Sequence, residues 1–193
     1  MMLKRASFFA IVVLMISMGL KVNGKEYESP VYTQYVAEIT RSFSKQVEED
    51  FGLECVGSGG EMPYDVEQIS VKFVAYQSAT VEEARELEIK LTERLVQVIN
   101  AHEKIKRFLR ECPFPPSRAH VTISFRDPRK KKTLSENNDV ELVFQARNRI
   151  FYQAKNPDNP YLGKDIKDES YEEALKIVQS NAAKNGAQLL NDL

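Results

Sequence analysis

The sequence predicts an α+β fold, in which three to four helices pack on one face of a mixed or mostly antiparallel sheet of 4–5 strands. Residues 69–75 and 119–125 alternate apolar and polar side chains, which is the period of a half-buried strand. Between them, residues 84–99 place apolar side chains three and four positions apart, the period of an amphipathic helix. Because a sheet with one apolar face needs helices to cover it, these patterns together indicate the class.

Capping signals mark the ends of the helices. The first helical pattern follows Pro30 and is expected to run to about Asp50, with Gly52 as its stop. Residues 80–83 and 170–173 have the spacing of a capping box and open two further helices. The middle helix is expected to break near Asn100, restart and end before Pro113. Its charged residues are expected to face water, namely Arg85, Glu88, Lys90, Glu93 and Arg94.

The other strands are shorter. One is expected within residues 53–56, another over the alternating stretch 140–146, and a last one at 150–152 after a tight turn at Arg147 and Asn148. In the alternating stretch, Val140, Leu142, Phe144 and Ala146 are assigned to the core face. Residues 156–161 contain two prolines and are expected to form a loop.

The sheet face away from the helices is the candidate binding face. It mixes aromatic, apolar and charged side chains, and interfaces are enriched in Tyr, Phe and Arg. Its candidate residues are Lys72, Tyr76, His120, Thr122, Arg126 and Gln145, with Val74, Val143 and Phe151 beside them. The alternative is a solvent-washed face of an antiparallel sheet, which is common in proteins.

The N-terminus has the pattern of a secretory signal peptide. Lys4 and Arg5 precede an uncharged, mostly apolar run at residues 6–20, and small or permissive residues lead to Gly24. The run is short for a spanning helix, which needs about 20 residues. Residues 1–24 are therefore assigned to a signal peptide and residues 25–193 to a single globular domain. An uncleaved membrane anchor is the alternative.

Charge argues against nucleic acid and membrane as partners. Residues 1–24 hold three of the 27 basic residues and none of the 28 acidic ones, so residues 25–193 carry a net charge of −4. An acidic surface has no general attraction for nucleic acid or anionic lipid. After removal of the leader, the expected partner is therefore a protein that the sequence does not identify.

Two smaller features have open interpretations. Cys55 and Cys112 are a candidate disulfide, since exported chains with an even cysteine count often form one, while two independent thiols are the alternative. A basic run at an expected hairpin tip is a candidate anion contact, and a solvated loop is its alternative. This run comprises Arg129, Lys130, Lys131 and Lys132.

Catalytic motifs are scarce in this sequence. It has no dinucleotide, hydrolase or EF-hand motif, and its two histidines and two cysteines lack metal-ligand spacing, so no cofactor and no metal are expected. His120 and Ser124 are four residues apart on one strand, about 13 Å, which is too far for a nucleophile–base hydrogen bond. A catalytic His120 would need a partner from a neighbouring strand.

The sequence thus favours a non-catalytic exported protein, periplasmic or extracellular, that binds a partner through the sheet face or the basic hairpin. One alternative is an exported hydrolase with His120 in its active site. Another is an envelope protein that residues 6–20 tether to the membrane.

Overall fold

A computed structural model describes residues 29–126, 139–156, 158–159 and 162–191, with side chains as far as residue 184. The backbone separates into two units, Met1–Pro30 and Val31–Leu193. Every helix and strand reported below belongs to the second unit. The predicted signal peptide lies outside the described residues and stays a prediction.

The described residues form three α-helices, near the positions that periodicity and capping predict. Helix α1 spans Val31–Phe51, α2 spans Val81–Ala101 and α3 spans Tyr171–Asn191. Gly52 follows α1 with a φ of 66°, and its N–H donates to the carbonyl of Glu48 at 2.9 Å. A glycine adopts this left-handed conformation without side-chain strain, which ends the helix where expected.

Both predicted capping boxes are present. The N–H of Glu83 donates to Thr80 Oγ1 at 3.2 Å, and the N–H of Thr80 donates to Glu83 Oε2 at 2.9 Å. Ser170 and Glu173 make the same reciprocal pair at 3.2 and 3.0 Å. Each box satisfies N–H groups that the helix itself leaves unpaired, and so fixes where α2 and α3 begin.

The described strands form one six-stranded sheet in the order β1-β2-β3-β4-β5-β6. Neighbours β2 and β3 are parallel and are connected through α2, whereas the other four pairs are antiparallel. The class is therefore the predicted one: α+β, a mixed and mostly antiparallel sheet with three helices packed against it. The strands are β1 (Glu54–Glu61), β2 (Gln68–Ala75), β3 (Ala119–Phe125), β4 (Leu142–Ala146), β5 (Arg149–Ala154) and β6 (Lys164–Ser170).

The sheet has one strand more than the upper number expected. Strand β6 has the sequence KDIKDES, which is mostly charged and shows no apolar alternation. It lies at the edge of the sheet, where charged side chains reach water and discourage pairing with other chains. The chain after α2 forms a 3₁₀ turn at Lys106–Phe108 instead of the second α-helical piece that was expected.

The helices cover one face of the sheet and bury a single core with it. Alternate residues of β2 and β3 point into this core, together with apolar residues of all three helices. The loop after α2 is held by Asn100, whose side chain donates to the Phe114 carbonyl at 3.0 Å and accepts from the Phe114 N–H at 2.7 Å. Phe114 is thereby fixed in the core, with 1% of its surface exposed.

Strand β4 presents the opposite face from the one predicted. Val143 and Gln145 are buried on the helix side, whereas Leu142, Phe144 and Ala146 are half-buried on the other side. The register is set by neighbouring strands, because Val143 pairs with a core residue of β3 and one of β5. The alternation was read correctly, but both sets include apolar residues, so the sequence alone does not distinguish inside from outside.

Candidate functional site

The side of the sheet opposite the core carries most of the predicted binding residues. We call it the outer face. In the described part of the chain it includes Ser70, Lys72, Val74, His120, Thr122, Ser124, Leu142, Phe144, Ala146 and Phe151. Val74 is 2% exposed although it is not a member of the core cluster, so the outer face also packs apolar groups.

One transverse row crosses the outer face through four neighbouring strands. Its members pair directly in the sheet register: Lys72, Thr122, Phe144 and Phe151. Since neighbouring strands lie about 4.8 Å apart, this row places the Thr122 hydroxyl beside the two phenyl rings and Lys72 one strand further away. The sequence prediction identified Lys72 and Thr122 and mentioned Phe151, but it assigned Phe144 to the core.

Phe144 and Phe151 form the apolar centre of this row. Their ring centroids are 5.3 Å apart and their planes meet at 16°, a stacked arrangement. Both side chains are half-buried, so part of each ring remains in contact with water. An aromatic pair that is stacked but incompletely covered is the kind of apolar surface that a protein partner buries.

Tyr76 and Arg126 lie together where β2 and β3 end. The N–H of Arg126 donates to the Ala75 carbonyl at 2.8 Å, and Tyr76 is 56% exposed. The Tyr76 hydroxyl donates to Glu54 Oε2 at 2.5 Å, and this bond to a carboxylate raises the pKa of Tyr76. Arg126 is exposed.

His120 lies on the outer face, and its ring contacts a backbone carbonyl. Its Nε2 is 3.2 Å from the Ser117 carbonyl oxygen, so this nitrogen is the protonated one. Burial lowers the pKa of His120, while the hydrogen bond to Ser117 opposes that shift. Among the described residues, no side-chain hydroxyl or carboxylate is hydrogen-bonded to His120.

Gln145 was placed on the wrong face by the sequence prediction. It is 3% exposed and points to the helix side of the sheet, where its Nε2 donates to the Pro116 carbonyl at 3.1 Å. A side chain with this burial helps to hold the loop before β3 and does not belong to the outer face.

The remaining sequence candidates are the two cysteines and the basic run. Cys55 and Cys112 are both exposed free thiols, so the candidate disulfide is absent from this structure. The basic run, Arg129, Lys130, Lys131 and Lys132, lies outside the described residues and stays a prediction.

Sequence reasoning missed a buried polar cluster on the helix side of the sheet. Arg85 was expected to face water but is 4% exposed. Its Nε donates to Glu169 Oε1 at 2.6 Å and its Nη2 donates to Glu169 Oε2 at 3.2 Å. The buried Tyr152 hydroxyl donates to the same Oε1 at 2.5 Å. The bond partners of Glu169 come from α2 and β5. Together, Arg85, Tyr152 and Glu169 therefore join α2 to the β5–β6 hairpin.

The charge state of Glu169 follows from these partners. Burial alone raises its pKa, but the hydrogen bonds from Arg85 and Tyr152 stabilise the carboxylate and bring the pKa below its usual range. Lys167 Nζ lies 3.4 Å from Glu169 Oε2 and adds a further positive charge. Glu169 is therefore an ionised, fully partnered carboxylate.

Glu88 lies one turn from Arg85 on α2, and its pKa is shifted in the opposite direction from that of Glu169. It was also expected to face water, yet it is 0% exposed, and neither carboxyl oxygen has a hydrogen-bond partner in the described structure. Burial raises its pKa well above the usual range, which favours the neutral acid. The hydroxyl of Thr92, one turn further along α2, is likewise buried and unpaired. No spacing signal in the sequence reveals that this stripe of α2 is covered.

Other site types find no support in the described residues. None of them form a group of three or more His, Cys, Asp and Glu side chains that could hold a metal ion. No helix within this part of the chain combines the length and apolarity needed to cross a membrane. Comparison with protein-family models, curated proteins and solved structures finds nothing that matches the chain.

Proposed function

We propose that this chain is an exported protein, periplasmic or extracellular, that binds a protein partner through the outer face of its sheet. The observation that carries the proposal is the stacked Phe144–Phe151 pair, which is only half-buried. Aromatic side chains at the centre of an interface contribute most of its binding energy when a partner excludes water from them.

Next to the pair, Asp168 follows Phe151 in the same row and is ion-paired with Arg149, so Lys72 and Arg126 define the chemistry of the partner. Lys72 is exposed two strands away in the same row as Phe144, and Arg126 is exposed where β3 ends. The partner surface therefore has an apolar centre that covers the two rings and an acidic group that reaches Lys72. Charged groups at the rim of such a contact set orientation and association rate more than affinity.

The full chain, immobilised and exposed to an extract of its native compartment, provides the binding test. We expect one protein to be retained by the natural chain, lost with Phe144→Ala, and retained with Tyr64→Ala. Tyr64 is the matched control, because it is an aromatic residue 89% exposed in the turn between β1 and β2. If the Phe144→Ala variant retains the same proteins as the natural chain, the proposal is contradicted.

The export part of the proposal has its own test. It rests on the basic and apolar pattern of residues 1–24, and N-terminal sequencing of the native product is expected to begin at Lys25. A product that begins at Met1 and sediments with membranes would instead support the tethered alternative.

A further inference from the structure

The two edges of the sheet are protected to different degrees. Strand β6 forms one edge and is rich in charge, with the sequence KDIKDES. Strand β1 forms the other edge and reads ECVGSGGE, with glutamates at its ends, an irregularity in register between Cys55 and Gly57, and no lysine, arginine or proline. Natural proteins place charged side chains, especially lysine, and proline on edge strands to prevent a foreign strand from pairing there. In the described structure, β1 pairs only with β2, so its outer row of N–H and carbonyl groups is available.

A groove runs beside the β1 edge, which carries fewer charges than the β6 edge. Only Gly52 and Leu53 separate α1 from β1, so the helix and the strand lie side by side in opposite directions. The groove between them has a volume of about 410 Å³, within the range of roughly 300–1,000 Å³ that is usual for binding clefts. Its lining includes Arg41, Lys45 and Glu48 from α1, with Cys55 and Ser58 from β1.

The charges in the groove are arranged unequally along its length. Because α1 and β1 run in opposite directions, Glu48 lies toward the Cys55 end and Arg41 toward the Ser58 end. Lys45 already has a partner, Glu49, at 3.6 Å. Arg41 makes no ion pair with any described residue and is exposed. The Ser58 end therefore offers an uncompensated guanidinium, whereas the Cys55 end repels a carboxylate.

We propose that this groove binds an extended segment of another polypeptide, which adds as an antiparallel strand to the outer edge of β1. Main-chain hydrogen bonds to β1 supply affinity, and alternate side chains of the added strand point toward α1. One of these side chains is acidic and pairs with Arg41, while the position near Glu48 is uncharged. This site lies on the helix side of the sheet edge and is separate from the outer face.

A synthetic peptide tests the proposal directly. The probe is a fluorescein-labelled octapeptide of alternating threonine and valine that carries one glutamate, and its control carries glutamine instead. Fluorescence anisotropy with the full chain is expected to show saturable binding of the glutamate peptide. The Kd is expected to be about tenfold higher for the glutamine peptide, since it loses a charge-assisted hydrogen bond.

Three variants locate the interaction on the protein. Arg41→Gln is expected to raise the Kd of the glutamate peptide about tenfold and to leave that of the glutamine peptide unchanged. Lys104→Gln removes the same charge at an exposed position after α2 and is expected to leave both Kd values unchanged. Phe144→Ala is also expected to leave them unchanged, which separates this site from the proposed function.

The two exposed thiols report where the peptide lies. Saturating peptide is expected to slow the alkylation of Cys55 and not that of Cys112, which serves as an internal control. Absence of saturable binding, equal affinity for both peptides, or unchanged Cys55 alkylation would overturn the proposal. A dimer of the chain alone that already protects Cys55 would overturn it as well, because a second copy would then occupy the edge.

Discussion

Two aromatic pairs pack on opposite faces of the same sheet, and their surroundings differ. Phe43 of α1 and Phe73 of β2 meet edge to face with centroids 5.8 Å apart, and they are 0% and 1% exposed. Phe144 and Phe151 stack at a similar distance on the outer face but are only half-buried. The first pair is covered by this chain's own helix, whereas the described residues leave the second pair partly exposed.

The contrast indicates which substitutions should affect stability and which should affect binding. Removing a fully buried aromatic side chain leaves a cavity as well as losing buried area, and the chain bears the whole cost. Removing a partly buried one costs the isolated chain less, and its main cost is expected only when a partner would have covered it. The following predictions use this difference.

The largest effect on stability is expected for Phe73→Ala. This change creates a cavity between β2 and α1 and is expected to lower the free energy of unfolding by about 3–5 kcal/mol. Urea denaturation followed by circular dichroism measures it. A loss no larger than that of Phe144→Ala would remove the distinction between the two faces.

A comparable loss is expected for Arg85→Met in the buried polar cluster. It leaves the Glu169 carboxylate buried without its main partner, which costs about 3–5 kcal/mol. The triple change Arg85→Met, Glu169→Leu and Tyr152→Phe removes all three polar groups together and is expected to recover most of that loss. If the triple variant is as unstable as the single one, packing rather than charge explains the effect.

Glu88→Gln is expected to change how stability depends on pH. The folded pKa of Glu88 lies well above the usual range, and the unfolded value is about 4.3. Between the unfolded pKa and the higher folded pKa of Glu88, the natural chain therefore becomes less stable as the pH rises. The variant lacks that loss, so its stability relative to the natural chain should improve from pH 4 to pH 7.

Glu169→Gln provides the opposite control for this experiment. Since the folded pKa of Glu169 is lowered, its contribution is present above the unfolded pKa and is lost as the pH falls. The destabilisation caused by Glu169→Gln should therefore shrink at acid pH. Equal pH slopes for the two variants would contradict the assignment of opposite charge states.

The smallest effect on stability is expected for Phe144→Ala. The side chain is half-buried, and its loss removes part of an apolar contact and a ring stack, together about 1–2 kcal/mol. Thermal or urea unfolding measures this change. A cost as large as that of Phe73→Ala would show that the outer pair acts as a second core.

Local signals in the sequence predicted much of the fold. The capping boxes, the Gly52 stop and the tight turn at Arg147 and Asn148 all form, and both turn residues have positive φ, 51° and 61°. That pair of angles belongs to the two-residue hairpin turn that joins β4 to β5. The faces of β2 and β3 were also predicted correctly, because only one side of each strand is consistently apolar.

The sequence predictions failed where residues far apart in the chain determine whether a side chain is buried. Arg85 and Glu88 look like solvent-facing charges, but α3 and the β5–β6 hairpin cover that stripe of α2, and Glu169 lies 84 residues from Arg85. Phe144 was assigned to the core because it alternates with Gln145, and only pairing with β3 and β5 shows the reverse. Strand β6 was missed because an edge strand can be charged throughout.

The most direct test of partner binding is the affinity of the captured protein for two variants of the full chain. Phe144→Ala is expected to raise the Kd by about 30-fold or more, the effect of a residue at the centre of an interface, while Tyr64→Ala leaves it unchanged. If both variants bind the captured protein as tightly as the natural chain does, the outer face is not the binding site.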